Sequence, residues 1–253
     1  MVFTTKMKKK IYFIAIVTII LLWMNGCKTP QPYPKPFNKI TINTKVHPLY
    51  MRSMNNYEEA FLSAQKSGNT STSERAMFEQ KSIAQMASSL KTFLKAYPNF
   101  NQDTVFIINM KIISGLNRFF VYDYVQNKVI DQGLVSHGEG SDAYVGRKWR
   151  PKFSNRLGSE MTSLGKYAIG RSYSGAYGKS YLLYGLDKTN SNAMRRNIVL
   201  HAFKGISEKQ QYNNLLVRSY GCPMVSLAFF KRLEKMIDTS PHPIVLYIDY
   251  IPF

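Results

Sequence analysis

This chain carries the stretch Arg218-Ser219-Tyr220-Gly221-Cys222-Pro223, and upstream of it the stretch Ile198-Val199-Leu200-His201-Ala202. A thiolate is the nucleophilic form of cysteine, so a catalytic cysteine needs a base, and a histidine on a neighbouring backbone segment can supply one. The chain has two cysteines, and Cys27 follows an apolar N-terminal segment, which leaves Cys222 without an evident disulfide partner. A lone cysteine or histidine is more often a core residue. The combination predicts Cys222 as a nucleophile and His201 as its base.

Further short motifs surround this pair in a fixed order over roughly the C-terminal 120 residues. They are Ser136-His137-Gly138, Phe153-Ser154-Asn155, Gly158-Ser159, Ser163-Leu164-Gly165, Tyr173-Ser174-Gly175, Gly185-Leu186-Asp187 and Asn192-Ala193. Together with the two stretches above, they resemble the YkuD-type L,D-transpeptidase domain, in its murein L,D-transpeptidase branch. One position departs from the pattern, because many such domains carry an arginine two residues after the nucleophile and this chain has Met224. The group that anchors a substrate carboxylate must then come from elsewhere.

The resemblance implies a mainly β catalytic domain, a sandwich or barrel, that acts on peptidoglycan. It implies a tetrapeptide stem as substrate, in which a diamino acid is joined to a terminal D-alanine. Attack by Cys222 would expel the D-alanine, and an amine of a neighbouring stem would resolve the thioester into a 3-3 cross-link. Neither a cofactor nor a metal is expected.

The turn around the nucleophile has its own requirements. Gly221 lets the backbone bend tightly and approach a substrate, and N–H groups between Tyr220 and Cys222 are the expected donors to a developing oxyanion. Ser219 is expected to shape the turn. The resemblance further implies that the Ser219 backbone orients the ring of His201.

Contacts to the substrate are predicted less directly. Tyr220 is assigned to substrate binding from its place inside the motif, and Tyr177 is either a wall of the cleft or a core residue. His137 invites a metal site with Glu139 and Asp142, but no second histidine lies at ligand spacing, so a place lining the cleft is favoured. Several arginines could bind a carboxylate bidentately, and Arg218 is favoured because it flanks the motif. The arginines are Arg147, Arg150, Arg171, Arg195, Arg196 and Arg218.

The N-terminus predicts export. Four lysines precede the apolar run Ile11–Met24, which is shorter than the ~20 residues of a membrane span. A cysteine after a small residue then resembles a lipobox, which favours a signal over 1–26 and a lipid on Cys27, with an ordinary secretory signal or an uncleaved anchor as alternatives. Each reading places the domain outside the cytoplasm, and the lipoprotein reading places it in the periplasm at the outer membrane.

The net charge of +19 favours an anionic partner, although a solvated basic surface is the alternative. An exported chain without a nucleic-acid motif argues against nucleic acid and for peptidoglycan carboxylates or anionic membrane surfaces.

The rest of the chain divides by composition. Alternating prolines predict an extended tether over 27–54, and apolar residues at helical spacing predict two helices within 55–98, separated at Ser67–Ser71. Residues 99–253 form the predicted catalytic domain. Its strand-like runs predict a mainly antiparallel sheet, a loop or cap over 138–165 and a short helix over 227–236. The predicted strands are 104–113, 118–125, 128–136, 166–169, 181–184, 197–202 and 244–251.

Two other functions remain open at this level. An L,D-carboxypeptidase would share the acylation step but transfer the stem to water. A lipoprotein that binds peptidoglycan without turnover would retain the motif as a scaffold.

Overall fold

The computed structural model describes residues 72–145, 148–149, 151–211 and 216–251. Two α-helices, Thr72–Ala96 (α1) and Leu227–Thr239 (α2), accompany ten strands and a single 3-10 turn at Glu139–Ser141 in these residues. The strands are Thr104–Asn109 (β1), Phe119–Asp123 (β2), Lys128–Gly133 (β3), Tyr144–Val145 (β4), Lys148–Trp149 (β5), Gly165–Gly175 (β6), Gly178–Gly185 (β7), Val199–Ala202 (β8), Met224–Val225 (β9) and Val245–Asp249 (β10).

Eight of these strands form one mixed sheet in the order β3-β2-β1-β10-β6-β7-β8-β9. The pairs β1–β10 and β8–β9 are parallel, and the other neighbours are antiparallel. The sheet is open, yet its two edges touch just beyond β3, where Val135 bridges Val225 and the Ser136 N–H donates to the Met224 carbonyl at 2.9 Å. The sheet therefore curls like an incomplete barrel, and its edges meet beside the nucleophile turn.

Alternate side chains of β1 point to opposite faces of the sheet and belong to two separate hydrophobic cores. Phe106 and Ile108 belong to the larger core between the curled sheet and α2, whereas Val105 and Ile107 point to the opposite face. That face is covered by α1, whose buried side chains recur at helical spacing. They are Ile83, Met86, Ala87, Leu90 and Leu94.

Helix α2 begins directly after β9 and the nucleophile turn. Its N-cap Ser226 accepts a hydrogen bond from the Phe229 N–H at 3.3 Å, and Glu208 accepts from the Ser226 hydroxyl at 2.6 Å and from the Ala228 N–H at 2.9 Å. A hydroxyl and a carboxylate at a helix N-terminus satisfy its free N–H groups and its dipole. The helix thereby fixes the chain just downstream of Cys222.

The predicted fold class is confirmed, because a mainly β domain follows a helical segment. The seven strand-like runs correspond to β1, β2, β3, β6, β7, β8 and β10, and the predicted short helix corresponds to α2. The two-residue strands β4, β5 and β9 were not predicted, since so short a run has no alternation to detect. Residues 138–165 are mostly irregular, apart from the 3-10 turn and the β4–β5 hairpin.

The predicted signal, the tether and the first of the two predicted helices lie outside the described residues. In the described part of the chain, neither helix has the length and apolar character that crossing a membrane requires.

Candidate active site

The parallel pairing of β8 with β9 brings the two motif segments together. His201 on β8 is the register partner of Met224 on β9, and Cys222 lies two residues before Met224. In a parallel ladder this offset places Cys222 next to Val199, and the Val199 N–H is indeed directed at the Cys222 sulfur at 3.5 Å. Val199 and His201 lie two residues apart, so their side chains share one face of β8.

Cys222 is half-buried as a residue, and its thiol is free rather than disulfide-bonded. Its S–H points to the carbonyl oxygen of Asn197 at 3.6 Å, while the sulfur receives the Val199 N–H. Loss of solvent around the sulfur raises the pKa of Cys222 to about 11, against the lowering effects of the Val199 N–H and the charge of Arg196. The resting site therefore holds a neutral thiol near pH 7.

The imidazole of His201 is buried and has a defined tautomer. Its Nδ1 lies 3.0 Å from the Ala202 carbonyl oxygen, which can only accept, so Nδ1 carries the proton and Nε2 keeps its lone pair. Burial lowers the pKa of His201 to about 4, although the hydrogen bond to Ala202 acts in the opposite direction. His201 is thus a neutral imidazole with a free basic nitrogen, the form that a general base requires.

Tyr177 covers His201. The two rings are stacked with their centroids 4.5 Å apart and an angle of 27° between their planes. Tyr177 lies in the turn between β6 and β7, so this hairpin reaches across the site. The structure therefore places Tyr177 at the predicted pair and not in the main core.

The nucleophile turn depends on Gly221. Its φ is +115°, and a Cβ there would lie 2.9 Å from the Met161 carbonyl oxygen and 3.0 Å from Ile198 Cδ1. The Gly221 N–H donates to the Ser219 hydroxyl at 3.1 Å, so Ser219 closes the turn. That N–H is engaged and cannot serve an oxyanion as well. The Cys222 N–H has no acceptor among the described residues and is the better candidate donor.

The backbone of Ser219 is held by the segment after β3. Its N–H donates to the His137 carbonyl at 2.9 Å, and its carbonyl accepts the Glu139 N–H at 2.7 Å. The expectation that Ser219 orients the His201 ring is not met, because the hydrogen-bond partner of that ring is its own neighbour Ala202.

His137 belongs to a buried polar network. Its Nδ1 lies 3.0 Å from Nη2 of the fully buried Arg118, and its Nε2 lies 2.9 Å from Oδ1 of Asp142. A guanidinium only donates, so Nε2 carries the proton and donates to Asp142. Burial lowers the pKa of His137, more than Asp142 raises it. With both nitrogens occupied and 3% of its surface exposed, His137 supports the site and does not line an open cleft.

Arg218 is the fourth member of this network, and its Nε forms an ion pair with Oδ2 of Asp142. Its charge is therefore already matched by a carboxylate inside the protein. Arg218 was the favoured anchor for a substrate carboxylate, and this pairing makes it a less suitable one. In the described part of the chain, no group of three or more histidine, cysteine, aspartate or glutamate side chains could hold a metal ion.

Two other arrangements were not predicted. Arg196 was one of six candidate arginines without a distinguishing signal, yet its Nη2 lies 3.0 Å from where a Cβ of Gly221 would be. Met224, two residues after the nucleophile, is buried in a small apolar cluster with Leu134, Ile206 and Leu216. That position therefore contributes packing here.

Tyr220 lies in the nucleophile turn and is 42% exposed. Cys27, Arg147 and Arg150 lie outside the described residues.

Comparison with known proteins identifies a protein family whose model matches this sequence. The family model described as the L,D-transpeptidase catalytic domain (YkuD_2) matches residues 74–247. No curated protein sequence matches significantly.

Similar solved structures include three from bacteria. The L,D-transpeptidase (residues 123–326) of Xylanimonas cellulosilytica DSM 15894 has 13% identity, a TM-score of 0.33 and coverage of 58% of this chain and 60% of that one. The helical cell shape determining protein Pgp2 of Campylobacter jejuni has 11% identity, a TM-score of 0.37 and coverage of 60% and 49%. Bd1075 of Bdellovibrio bacteriovorus has 15% identity, a TM-score of 0.33 and coverage of 58% and 47%. The chain thus spans 60% or less of each of these structures.

Proposed function

Because this chain belongs to the L,D-transpeptidase catalytic domain family, we propose that it is a peptidoglycan L,D-transpeptidase whose nucleophile is Cys222. Its donor would be a tetrapeptide stem, cleaved between the diamino acid and the terminal D-alanine. The observation that carries this proposal is the β8–β9 ladder, which joins the Cys222 segment to the strand that bears His201.

The first half-reaction forms a thioester. The thiol leaves the Asn197 carbonyl and gives its proton to Nε2 of His201, while the sulfur attacks the carbonyl carbon of the diamino acid. The Cys222 N–H then faces the charge on the carbonyl oxygen. Collapse breaks the C–N bond, and the proton on His201 passes to the departing amine of D-alanine.

The second half-reaction regenerates the thiol. The side-chain amine of a neighbouring stem attacks the thioester carbon and gives a proton to His201, which returns it to the departing sulfur. The product is a 3-3 cross-link. Water in place of the amine would give a tripeptide, which is the carboxypeptidase alternative.

The neutral resting state suits this cycle. With the pKa of Cys222 raised to about 11 and that of His201 lowered to about 4, no thiolate–imidazolium pair forms before substrate arrives. Proton transfer is then coupled to attack, which protects the thiol from oxidation in an exported protein.

The proposal is tested with the full-length protein in detergent, incubated with disaccharide-tetrapeptide muropeptides and followed by mass spectrometry. Dimers that have lost one D-alanine are expected, with an acyl adduct on Cys222. Tripeptide without dimer would indicate the carboxypeptidase. Neither product, with Cys222→Ala binding sacculi as well as the parent, would favour the non-catalytic binding protein.

The proposed location is the periplasm, with the chain anchored to the outer membrane through a lipid on Cys27. The N-terminal sequence supports this, because a basic segment and an apolar run precede that cysteine. Metabolic labelling with an alkyne fatty acid should mark the parent and not Cys27→Ala. Equal labelling of both proteins would contradict the lipid site.

A further inference from the structure

Arg196 lies directly beneath the nucleophile turn. Its Nη1 donates to the Ser154 carbonyl at 2.8 Å, and its Nη2 donates to the Met161 carbonyl. The same Nη2 is 3.0 Å from the position that a Cβ on Gly221 would occupy. The missing side chain of Gly221 therefore leaves the room in which this guanidinium reaches the backbone next to Cys222.

The charge of Arg196 has no carboxylate partner within the described residues. Its hydrogen bonds go to two neutral carbonyl groups. Arg218, by contrast, is paired with Asp142. An arginine remains protonated even when partly buried, and a charge that is shielded from water acts strongly on its surroundings. Arg196 is therefore a fixed positive charge that no carboxylate of the described residues neutralises, and its electric field acts on the nucleophile turn.

The position two residues after the nucleophile cannot supply this field. Met224 occupies it, and its side chain is 2% exposed in an apolar cluster. Of the other candidate arginines that the structure describes, Arg171 and Arg195 are exposed and Arg218 is paired with Asp142.

We propose that Arg196 is an electrostatic positioning residue, whose charge stabilises the Cys222 thiolate during acyl transfer. Its role in acyl transfer rests on the proposed function, whereas its effect on the thiolate does not. Arg196 keeps its own proton throughout, since the thiol proton goes to His201. Its carbonyl contacts hold the loop at Ser154 and Met161 against Gly221, which keeps the charge in place.

The electrostatic balance at the thiol supports this role. Burial raises the pKa of Cys222, and the charge of Arg196 is one of two influences that lower it, after the Val199 N–H. Burial also lowers the pKa of Arg196, while the nearby Tyr167 and Cys222 act to raise it.

The test measures iodoacetamide alkylation of Cys222 in the full-length protein from about pH 7 to about pH 11, with the modified peptide quantified by mass spectrometry. This readout separates Cys222 from Cys27 and needs no peptidoglycan. Arg196→Gln keeps a donor but loses the charge, and its alkylation at pH 8 should be about tenfold slower, which corresponds to one pKa unit. Arg196→Lys keeps the charge and should follow the parent. Arg195→Gln, at the exposed neighbour, is the matched control.

A purely structural role, in which Arg196 only holds two carbonyl groups in place, predicts a different pattern of alkylation rates. Arg196→Lys loses the paired hydrogen bonds to two carbonyl groups. If these bonds were the whole role of Arg196, alkylation of Cys222 would change equally in Arg196→Lys and Arg196→Gln, and that result would overturn the proposal. Unchanged alkylation in Arg196→Gln would overturn it as well. If Arg196→Gln fails to fold, Arg196→Lys decides alone: it should match the parent below about pH 10 and fall behind above it, where lysine loses its charge. An Arg196→Lys profile that runs parallel to the parent throughout would then overturn the proposal. Turnover of muropeptides by the parent is measured separately, so failure of the proposed function is recognised independently.

Discussion

Tyr177 stacks on His201 at a centroid distance of 4.5 Å, and it joins the β6–β7 hairpin to the strand that carries the proposed base. The contact keeps water away from one face of the imidazole. Since desolvation is the main cause of the low His201 pKa, the tyrosine ring contributes to the neutral state of that base.

Removal of this ring should raise the His201 pKa. In Tyr177→Ala, water reaches the imidazole, and we expect its pKa to rise by about one unit from its value in the parent. Tyr177→Phe keeps the stacked ring and should leave the pKa unchanged. The measurement is an NMR titration of the His201 ring, assigned by its disappearance in His201→Gln. The same pKa in Tyr177→Ala as in the parent would show that the strand, and not the tyrosine, desolvates the ring.

The low pKa of His201 also predicts how stability depends on pH. The group has an ordinary pKa of 6.5 and a pKa of about 4 when folded, so between these values the unfolded chain binds the proton that the folded chain rejects. The free energy of unfolding should therefore fall as the pH drops from about 6.5 to 4, by about 3 kcal/mol from this residue. Urea unfolding of the parent and of His201→Gln across this range measures the effect. The substitution should flatten the pH dependence, with the remainder due to groups such as His137.

His242 provides the control for this experiment, because it is exposed. His242→Gln should leave the pH dependence as it is in the parent. A His201→Gln protein whose stability falls as steeply as that of the parent would contradict the buried neutral imidazole.

Local patterns were sufficient to predict most of the fold. In β1, a continuous run of branched and aromatic apolar residues is directly visible, and both faces of that strand proved to be buried. Asn127, read as a turn residue, adopts a φ of 52° between β2 and β3. The nucleophile turn could be recognised in the sequence because its tight backbone geometry requires a glycine directly before the cysteine.

The supporting contacts could not be predicted in the same way. Arg118, His137 and Asp142 are separated along the chain and meet only through packing, and His137 was consequently assigned to the cleft. Arg196 resembled five other arginines, since no sequence signal reports which charges lack a carboxylate partner. Side-chain pairing of this kind depends on tertiary distances rather than on periodicity.

Gly221 should not tolerate a side chain. A Cβ there would crowd the Met161 carbonyl and Arg196, and the φ of +115° is itself unfavourable for L-residues. We expect Gly221→Ala to lose about 2 kcal/mol of stability or more and most of its turnover, because the turn must move. Gly178→Ala is a matched control, since Gly178 has a φ of +76° but nothing within 4 Å of a Cβ. Thermal unfolding and muropeptide turnover measure both. Equal effects of the two changes would show that crowding beneath Cys222 is unimportant.

Asp142 should be the most sensitive member of the buried network. Its carboxylate accepts from His137 and pairs with Arg218, and 13% of its side chain is exposed. Asp142→Asn would keep the shape but leave the buried positive charges without their counter-charge, at an expected loss of about 3 kcal/mol. The segment 137–139, which is hydrogen-bonded to the backbone of Ser219, should become less rigid as well, so the alkylation rate of Cys222 should change together with stability.

The matched control is Asp131→Asn, at the more exposed pair with Arg232. It should cost about 1 kcal/mol or less and leave the alkylation rate of Cys222 unchanged. Denaturant unfolding and iodoacetamide kinetics on the same samples distinguish the two. A neutral effect of Asp142→Asn on both would mean that hydrogen bonds alone, without the carboxylate charge, position the nucleophile turn.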